Sequence, residues 1–374
     1  MDRERLRYLA GLRSEKRLIV SLYLPLEKGE PGEAKLPIRL KNLISQALEA
    51  KESWTPEQIR SVEEDLARIE RLVAEERVLG SKSVVAFASS PLGLWEVFRP
   101  PVGVGKGLAI DHVPRVAPLI ALAGQLERYC TVLIDKSRSR IFFLDLGSVE
   151  ERYDIYGVVP GRHDQGGWAQ ARYQRHHDDH VMRHLKETAE QLFHISRDEA
   201  FDRLFLAGTE ELVSQFREYL HPYLQERLTG GFPLEMTSSP KEIQEETLAI
   251  VEQLRKEEDH QLIERLRGEA LSGNLGVIGL EDTLHAWQTG QVFTLLVNEG
   301  FHAPGRRCPQ CGSLTVQEGS CPYCNQTLEP LRDMVEELIK RAFLGNTEIK
   351  FIAGENKEAL AEMGKIGALL RFAA

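Results

Sequence analysis

Four of the five cysteines have the spacing of a metal site. They form two Cys-x-x-Cys pairs separated by nine residues, whereas Cys130 stands alone in an apolar segment. Tetrahedral zinc binds four thiolates, which leaves no open coordination position, so this pattern predicts a structural zinc ion rather than a catalytic one. Gly312 and Asn325, directly after the two pairs, suit the tight turns that such a site needs. Free or redox-active thiols are the alternative. The predicted ligands are Cys308, Cys311, Cys321 and Cys324.

A glycine- and arginine-containing segment in the middle of the chain is a second candidate site. Gly166 and Gly167 lack Cβ atoms, so another backbone or an RNA strand can approach them closely. Arg172 and Arg175 are three residues apart and share one face of a helix, which suits phosphate groups. Trp168 either docks on a neighbouring domain or stacks on an RNA base. The predicted RNA-binding residues are Arg162, Arg172, Arg175, His176 and Arg183.

Three histidines follow at helical spacing. His176, His180 and His184 are four residues apart in succession, so a helix places them on one face. Three interpretations of this face are open. It is a polar surface against RNA, a solvated surface, or the metal-binding face of a hydrolase.

Length and composition restrict the class of protein. A chain of 374 residues suggests two or three domains. Its apolar runs are shorter than a membrane span, and no apolar stretch of a signal peptide follows Met1, so we expect a cytoplasmic protein without membrane contact. The net charge of −10 argues against a general polyanion binder, although an acidic protein can still present a basic patch to RNA.

The elements that position these residues follow from hydrophobic periodicity. The first part of the chain mixes helices and strands in a small α/β unit. The second has three strands, a helix, a strand and a helix, the order of a ribonuclease-H-like sheet. The third alternates strands and helices, as in an α/β sandwich. The predicted strands are 18–24, 84–88, 94–98, 131–135, 140–144, 150–159, 203–207, 275–278, 292–297, 348–352 and 368–372. The predicted helices are 38–50, 56–79, 171–193, 210–220, 241–269, 281–288 and 334–343.

Several motifs, in the same order along the chain, resemble the archaeo-eukaryotic class I peptide chain release factors. The most specific is Glu281-Asp282-Thr283-Leu284, which resembles a signature of their C-terminal domain. The glycine pair resembles their Gly-Gly-Gln loop, and the cysteine pairs resemble a metal-binding insertion of archaeal members. The other matching segments are 18–25, 187–193, 221–224 and 367–372.

The resemblance implies an α/β protein of three domains. These are a small α/β N-terminal domain (1–124), a ribonuclease-H-like central domain with the Gly-Gly loop (125–239), and an α/β sandwich C-terminal domain (240–374) with a zinc-ribbon insertion (306–326). The superfamily includes pelota and the bacterial hibernation factor Balon, and the chain resembles its bacterial-type members.

Two departures from the family pattern bear on function. The stop-codon motifs Asn-Ile-Lys-Ser and Tyr-x-Cys-x-x-x-Phe are missing, so we do not expect stop-codon reading. Trp168 replaces the glutamine that, in the family, positions water against the peptidyl-tRNA ester. An indole has one N–H donor and no oxygen acceptor, so it does not reproduce that water site.

The resemblance therefore implies a monomeric translation factor that occupies the ribosomal A site. Its role would be rescue, hibernation or recycling, and its C-terminal domain would meet a translational GTPase. The alternative is a peptidyl-tRNA hydrolase in which Gln170 positions water, and a histidine-metal hydrolase is a more distant one. The catalytic candidates are Gly166, Gly167, Trp168 and Gln170.

Overall fold

The structure is a computed structural model, and its described part is a mixed α/β fold with four β-sheets. No helix in that part is both long and apolar enough to cross a bilayer. The chain divides into two compact units. The bipartite unit combines Met1–Gln125 with Arg255–Ala374, and the middle unit is Leu126–Leu254. The described residues are 3–26, 36–79, 82–145, 148–157 and 168–372.

The N-terminal part of the bipartite unit is an antiparallel sheet with helices on both faces. Its strands are β1 (Ile19–Pro25), β2 (Ser83–Ser89), β3 (Leu94–Phe98) and β4 (Gly107–Asp111). Its α-helices are α1 (Arg3–Gly11), α2 (Leu36–Ala47), α3 (Pro56–Leu79) and α4 (Ala117–Gln125), with short 3-10 helices at Leu48–Ser53 and Ser90–Leu92. The strand order is β3-β2-β1-β4.

Strand β1 is buried on both faces because alternate side chains enter two different cores. Val20 and Leu22 pack with the apolar residues of α2 and α3. Ile19 and Tyr23, on the other face, pack with residues of α1 and α4. The helical periodicity predicted for 56–79 is confirmed, since its apolar side chains are buried. Those residues are Val62, Leu66, Ile69, Leu72 and Val73.

The middle unit is built on a five-stranded mixed sheet. Its elements are β5 (Tyr129–Ile134), β6 (Arg138–Asp145), β7 (Ser148–Tyr156), α5 (Trp168–Asp198), β8 (Arg203–Gly208), α6 (Glu210–Tyr219), α7 (Pro222–Gln225) and β9 (Leu228–Phe232). The strand order is β7-β6-β5-β8-β9. β5 is antiparallel to β6 but parallel to β8, which in turn is parallel to β9. Helix α5 packs its apolar side chains on one face of this sheet.

The C-terminal part of the bipartite unit carries a second sheet. Its strands are β10 (Gly276–Ile278), β11 (Val292–Asn298), β12 (Gly305–Arg307), β13 (Leu314–Thr315), β14 (Glu329–Leu331), β15 (Glu348–Ile352) and β16 (Ile366–Leu370). Its helices are α8 (Pro240–Leu271), which begins in the middle unit, α9 (Leu280–Gln288), α10 (Met334–Leu344) and α11 (Asn356–Ala361). The main order is β10-β16-β11-β15, and β13-β12-β14 form a separate small sheet.

One apolar core joins the two parts of the bipartite unit. It contains Ile19 and Phe87 from the first sheet together with Leu295 and Ala368 from the second. Helix α10 also contributes to it, through Leu338 and neighbouring apolar residues. The first and last thirds of the chain therefore share a hydrophobic interior.

Most predicted elements are present, with differences at their ends. Helix α5 begins three residues before the predicted start at residue 171 and extends beyond residue 193. Strand β7 ends at Tyr156, before the predicted end at residue 159. The elements that were not predicted include β4, α4, α7, β9, α11 and the three strands of the small sheet, β12, β13 and β14. The division into three domains at residues 124 and 239 stays a prediction.

Candidate functional site

The glycine pair lies directly before helix α5. Gly166, Gly167 and Arg162 fall outside the described residues, as do the side chains of 168–177, so the roles predicted there stay predictions. The backbone of α5 is described from its first residue, Trp168. The Gly-Gly pair therefore lies at the N-terminus of a helix of 31 residues.

The helical phase of α5 divides its candidate residues between two sides. Arg172 is eleven residues, or about three turns, before the exposed Arg183, so the two positions share one side of the helix. Gln170 is eleven residues before the buried Val181, and its position shares the side of the buried stripe. The predicted arginine position and the predicted glutamine position thus lie on different sides of α5.

His184 is a core residue, and its assignment to a histidine surface is wrong. Its side chain is 2% exposed. Its Nε2 is 3.0 Å from Ser139 Oγ, which also lies 3.2 Å from Thr188 Oγ1. Burial lowers the pKa of His184 below its ordinary value, because desolvation disfavours the imidazolium. The apolar residues of α5 place His184 against the sheet, and its four-residue spacing from His180 does not reveal this.

The four predicted cysteine ligands come together on the small sheet. Their Sγ atoms lie within 4.8 Å of one another. Cys308 Sγ is 3.3 Å from Cys324 Sγ, and Cys311 Sγ is 3.6 Å from Cys321 Sγ. These distances are too long for a disulfide, whose sulfurs are about 2.05 Å apart. Four sulfurs around a tetrahedral zinc ion are about 3.8 Å apart, so the cluster fits a metal of this kind.

The turns after the two cysteine pairs have the predicted form. Gly312 has φ of 76° and Asn325 has φ of 61°, both in the left-handed region. The Gly312 amide donates to the Cys308 carbonyl at 3.0 Å, and the Asn325 amide donates to the Cys321 carbonyl at 2.9 Å. The two pairs therefore have matching turns, each closing around its own cysteines.

The protein environment favours the thiolate that a metal requires at one of these positions. The Ser313 hydroxyl lies 3.1 Å from Cys321 Sγ. This hydrogen bond lowers the pKa of Cys321 to about 6. By contrast, Cys130 is fully buried in the middle unit, where desolvation raises its thiol pKa far above the ordinary value. Cys130 is thus an apolar core residue, as its sequence setting indicates.

Comparisons with known proteins identify a matching family for the middle of the chain. Residues 114–252 match the family described as bacterial archaeo-eukaryotic release factor family 10. This range includes all of the middle unit up to the first part of α8, and with it the Gly-Gly segment and α5. Over these residues the chain is similar to the bacterial archaeo-eukaryotic release factors.

Similarity to release factors also covers the chain outside residues 114–252. It is 25% identical to peptide chain release factor subunit 1 of Archaeoglobus fulgidus over 379 aligned residues, covering 95% of this chain and 92% of the relative. The corresponding protein of Methanosphaera stadtmanae is 24% identical, with the same shares covered. An archaeal Pelota, from a structure of Pelota and ABCE1 bound to the ribosome, is 18% identical, with a TM-score of 0.42 over 78% of each chain.

A polar cluster of the release-factor-like chain was not found from its sequence. Glu336, on α10, is 5% exposed, and its Oε1 accepts the backbone amides of Val116 and Ala117 at the start of α4. Burial raises the pKa of Glu336 to about 7. In the sequence, Glu336 is an acidic residue in the first turn of a helix capped by Asp333, a pattern typical of exposed carboxylates. Its burial depends on a partner helix more than 200 residues away.

Proposed function

We propose that this chain is a ribosome-binding translation factor of the release-factor type. It occupies the A site in rescue, hibernation or recycling and does not read stop codons. The observation that carries the proposal is the family match over 114–252, because it includes the Gly-Gly segment and the helix that follows. The missing stop-codon motifs support a role other than termination.

In this proposal the start of α5 contacts RNA. Arg172 and Arg183 share one side of the helix, and Arg175 and His176 lie in the intervening turns. Phosphate groups are bound by such arginines, and Trp168 is available for stacking on a base. Arg162, before the glycines, would extend the basic surface. Because the chain as a whole is acidic, RNA contact should be confined to this basic segment.

The helix also bears on whether the factor hydrolyses peptidyl-tRNA. Gln170 lies in the first turn of α5, in phase with the buried stripe, and not in the loop that precedes the helix. Trp168 occupies the position of the family's catalytic glutamine. These positions favour an A-site occupant over a hydrolase, and over a histidine-metal hydrolase, since His184 is buried.

The deciding experiment uses ribosomes with peptidyl-tRNA in the P site and an empty A site. Co-sedimentation and peptide release are measured together. We expect binding without release. Release that disappears in Gln170→Ala would replace the proposal with a hydrolase, and absence of binding would overturn it.

We propose that the cysteine cluster holds a structural zinc ion. Cys308, Cys311, Cys321 and Cys324 would supply four thiolates, and the ion would fasten the two turns of the 306–326 insertion together. Zinc content should fall from one per chain in Cys308→Ser, together with the unfolding temperature. Cys130→Ala is the matched control, since it removes the fifth cysteine and should leave zinc content unchanged. One zinc per chain in Cys308→Ser would contradict this ligand set.

The remaining organisation follows the family. We propose a ribonuclease-H-like central domain and an α/β sandwich C-terminal domain, within boundaries at 1–124, 125–239 and 240–374. The C-terminal domain would meet a translational GTPase, and the factor would act as a cytoplasmic monomer. A pull-down of candidate GTPases with the full chain, with and without ribosomes, tests this partner.

A further inference from the structure

A small cavity lies inside the bipartite unit, lined by both of its main sheets. Its volume is about 250 Å³. Phe301, Ile339 and Phe351 supply apolar wall, while Arg115, Asn298 and Glu336 supply polar wall. This volume is close to the lower end of small-ligand sites, which span roughly 300 to 1,000 Å³. The cavity therefore suits a compact ligand that has both an apolar face and polar groups.

Three polar atoms of the lining residues are buried without a hydrogen-bond partner among the described residues. They are Arg115 Nε, Asn298 Oδ1 and Glu336 Oε2. The side chains of Asn298 and Glu336 are 6% and 5% exposed. Their other polar atoms are paired, since Asn298 Nδ2 donates to the Lys357 carbonyl and Glu336 Oε1 accepts two backbone amides. Buried polar atoms are normally paired, so these three atoms around one cavity indicate a group from outside the chain.

The unpaired atoms define what such a ligand must offer. Asn298 Oδ1 and an ionised Glu336 Oε2 accept hydrogen bonds, and Arg115 Nε donates one. Tyr23 is not available to the ligand as a free donor, because its hydroxyl donates to the Arg115 carbonyl at 2.7 Å. The ligand therefore presents two donor groups and one acceptor. Among nucleobases, guanine has adjacent N–H and NH₂ donors with a carbonyl acceptor, whereas adenine has a single donor group.

A glycine-rich segment lines the same cavity. Gly103, Gly105 and Gly107 alternate with Val104 and Lys106. A Cβ at Gly105 or Gly107 would meet no atom within 4 Å, so packing within the chain does not require glycine there. Glycines permit a close approach of backbone amides to phosphate, and the exposed Lys106 adds a positive charge.

We propose that this cavity binds the guanine base of a nucleotide, with its phosphate beside Gly103–Gly107. Asn298 and Glu336 would accept from the two donor groups of the base, and Arg115 would donate to its carbonyl. The ligand would then touch residues from both ends of the chain. This proposal is independent of ribosome binding.

Calorimetric titration of the full-length, zinc-loaded chain with GMP, IMP and AMP tests the base. IMP lacks the 2-amino group of GMP, so its affinity should be at least about tenfold lower, and AMP should bind more weakly still. No binding of GMP, or equal binding of the three nucleotides, would overturn the proposal. These measurements need no variant and do not depend on one folding.

Variants then test the location. Ala121, on α4, lines the cavity, so Ala121→Leu should remove GMP binding. Ala123→Leu, on the same helix but not among the lining residues, should retain it. Lys106→Ala should weaken GMP but leave guanosine unchanged. Full GMP affinity in Ala121→Leu would place the nucleotide elsewhere and overturn the assignment.

Discussion

His184 packs so closely against Gly157 that the space between them admits no side chain larger than hydrogen. A Cβ on Gly157 would lie 2.6 Å from His184 Nδ1. Gly157→Ala should therefore lower the free energy of unfolding by about 1 to 3 kcal/mol, as overpacking does. Urea denaturation measures this loss.

Two further variants locate the cause of that loss. A Cβ at Gly230, in β9, would meet no atom within 4 Å, so Gly230→Ala should change stability by no more than about 0.5 kcal/mol. The effects of Gly157→Ala and His184→Ala should be less than additive when combined, because the two residues touch. Full additivity would show that the clash does not determine the loss.

Ionisation of Glu336 should make the free energy of unfolding depend on pH. Its folded-state pKa of about 7 is above the ordinary value of 4.5, so the folded protein holds this proton more tightly than the unfolded chain. Glu336 therefore lowers stability progressively as pH rises from about 4.5 to 7. Glu336→Gln removes this titration, and its stability relative to the wild type should improve by up to roughly 3 kcal/mol between pH 5 and 8.

Urea denaturation at both pH values tests that response. Glu355→Gln, which changes an exposed carboxylate, is the matched control. A constant difference between Glu336→Gln and the wild type would mean that Glu336 ionises normally in the folded protein.

At the scale of elements, helix α5 carries the RNA-binding prediction. Replacing Arg172 and Arg175 by alanine should weaken ribosome binding and reduce the slope of log K against log salt by roughly 1.4 to 1.8, because two phosphate contacts no longer release counterions. Co-sedimentation at several KCl concentrations measures the slope.

The matched control for this variant is Arg68→Ala with Arg71→Ala on α3. These arginines are exposed, have the same three-residue spacing and carry the same charge. Equal slopes for wild type and the Arg172/Arg175 variant would remove α5 from the RNA contact. Equal changes in both variants would attribute the effect to net charge.

Periodicity predicted α3 well because one face of that helix is buried, and it predicted β1 because a continuous apolar run is typical of a strand that is buried on both faces. The buried stripe of α3 and the apolar run of β1 both match their predicted ranges closely. Strand β9, Leu-Thr-Gly-Gly-Phe, contains two glycines and little apolar periodicity, and its pairing with β8 decides its structure. Strand β4 is likewise short, and it forms by pairing with β1, far away in the sequence. The pairing that forms each of these two strands is not visible in a local pattern.

The candidate sites also differ in whether the sequence alone could predict them. The cysteine cluster was predictable because two local turns, each readable from four residues, contain all of its ligands. The cavity beside Glu336 was not, because Arg115, Asn298 and Glu336 are remote in sequence and meet only in the folded bipartite unit. Local spacing identifies sites that a single segment can build, and it does not identify sites assembled by tertiary packing.

At the scale of the whole molecule, destabilising the shared core should accelerate amide hydrogen exchange at both ends of the chain, because both ends contribute residues to that core. Leu295 is fully buried in that core, so Leu295→Ala should cost about 2 to 5 kcal/mol. Hydrogen exchange should then accelerate in both β1 and β11 and remain slow in β5 and β8.

Leu206→Ala provides the converse test, since Leu206 is buried in the middle unit. It should accelerate exchange in β5 and β8 and leave β1 and β11 protected. Faster exchange in β11 alone after Leu295→Ala would show that the first sheet does not depend on the shared core.

The middle unit interrupts the bipartite unit in the chain, and this order matters during synthesis. Residues 126–254 leave the ribosome as one uninterrupted stretch, so their sheet can form while the C-terminal strands are still untranslated. The shared core must wait for β16, which follows the other strands of the described part of the chain. Until then, the apolar face of β1 that holds Ile19 and Tyr23 lacks its C-terminal partners. The nascent N-terminal sheet therefore keeps this apolar face uncovered until the C-terminal strands have been synthesised.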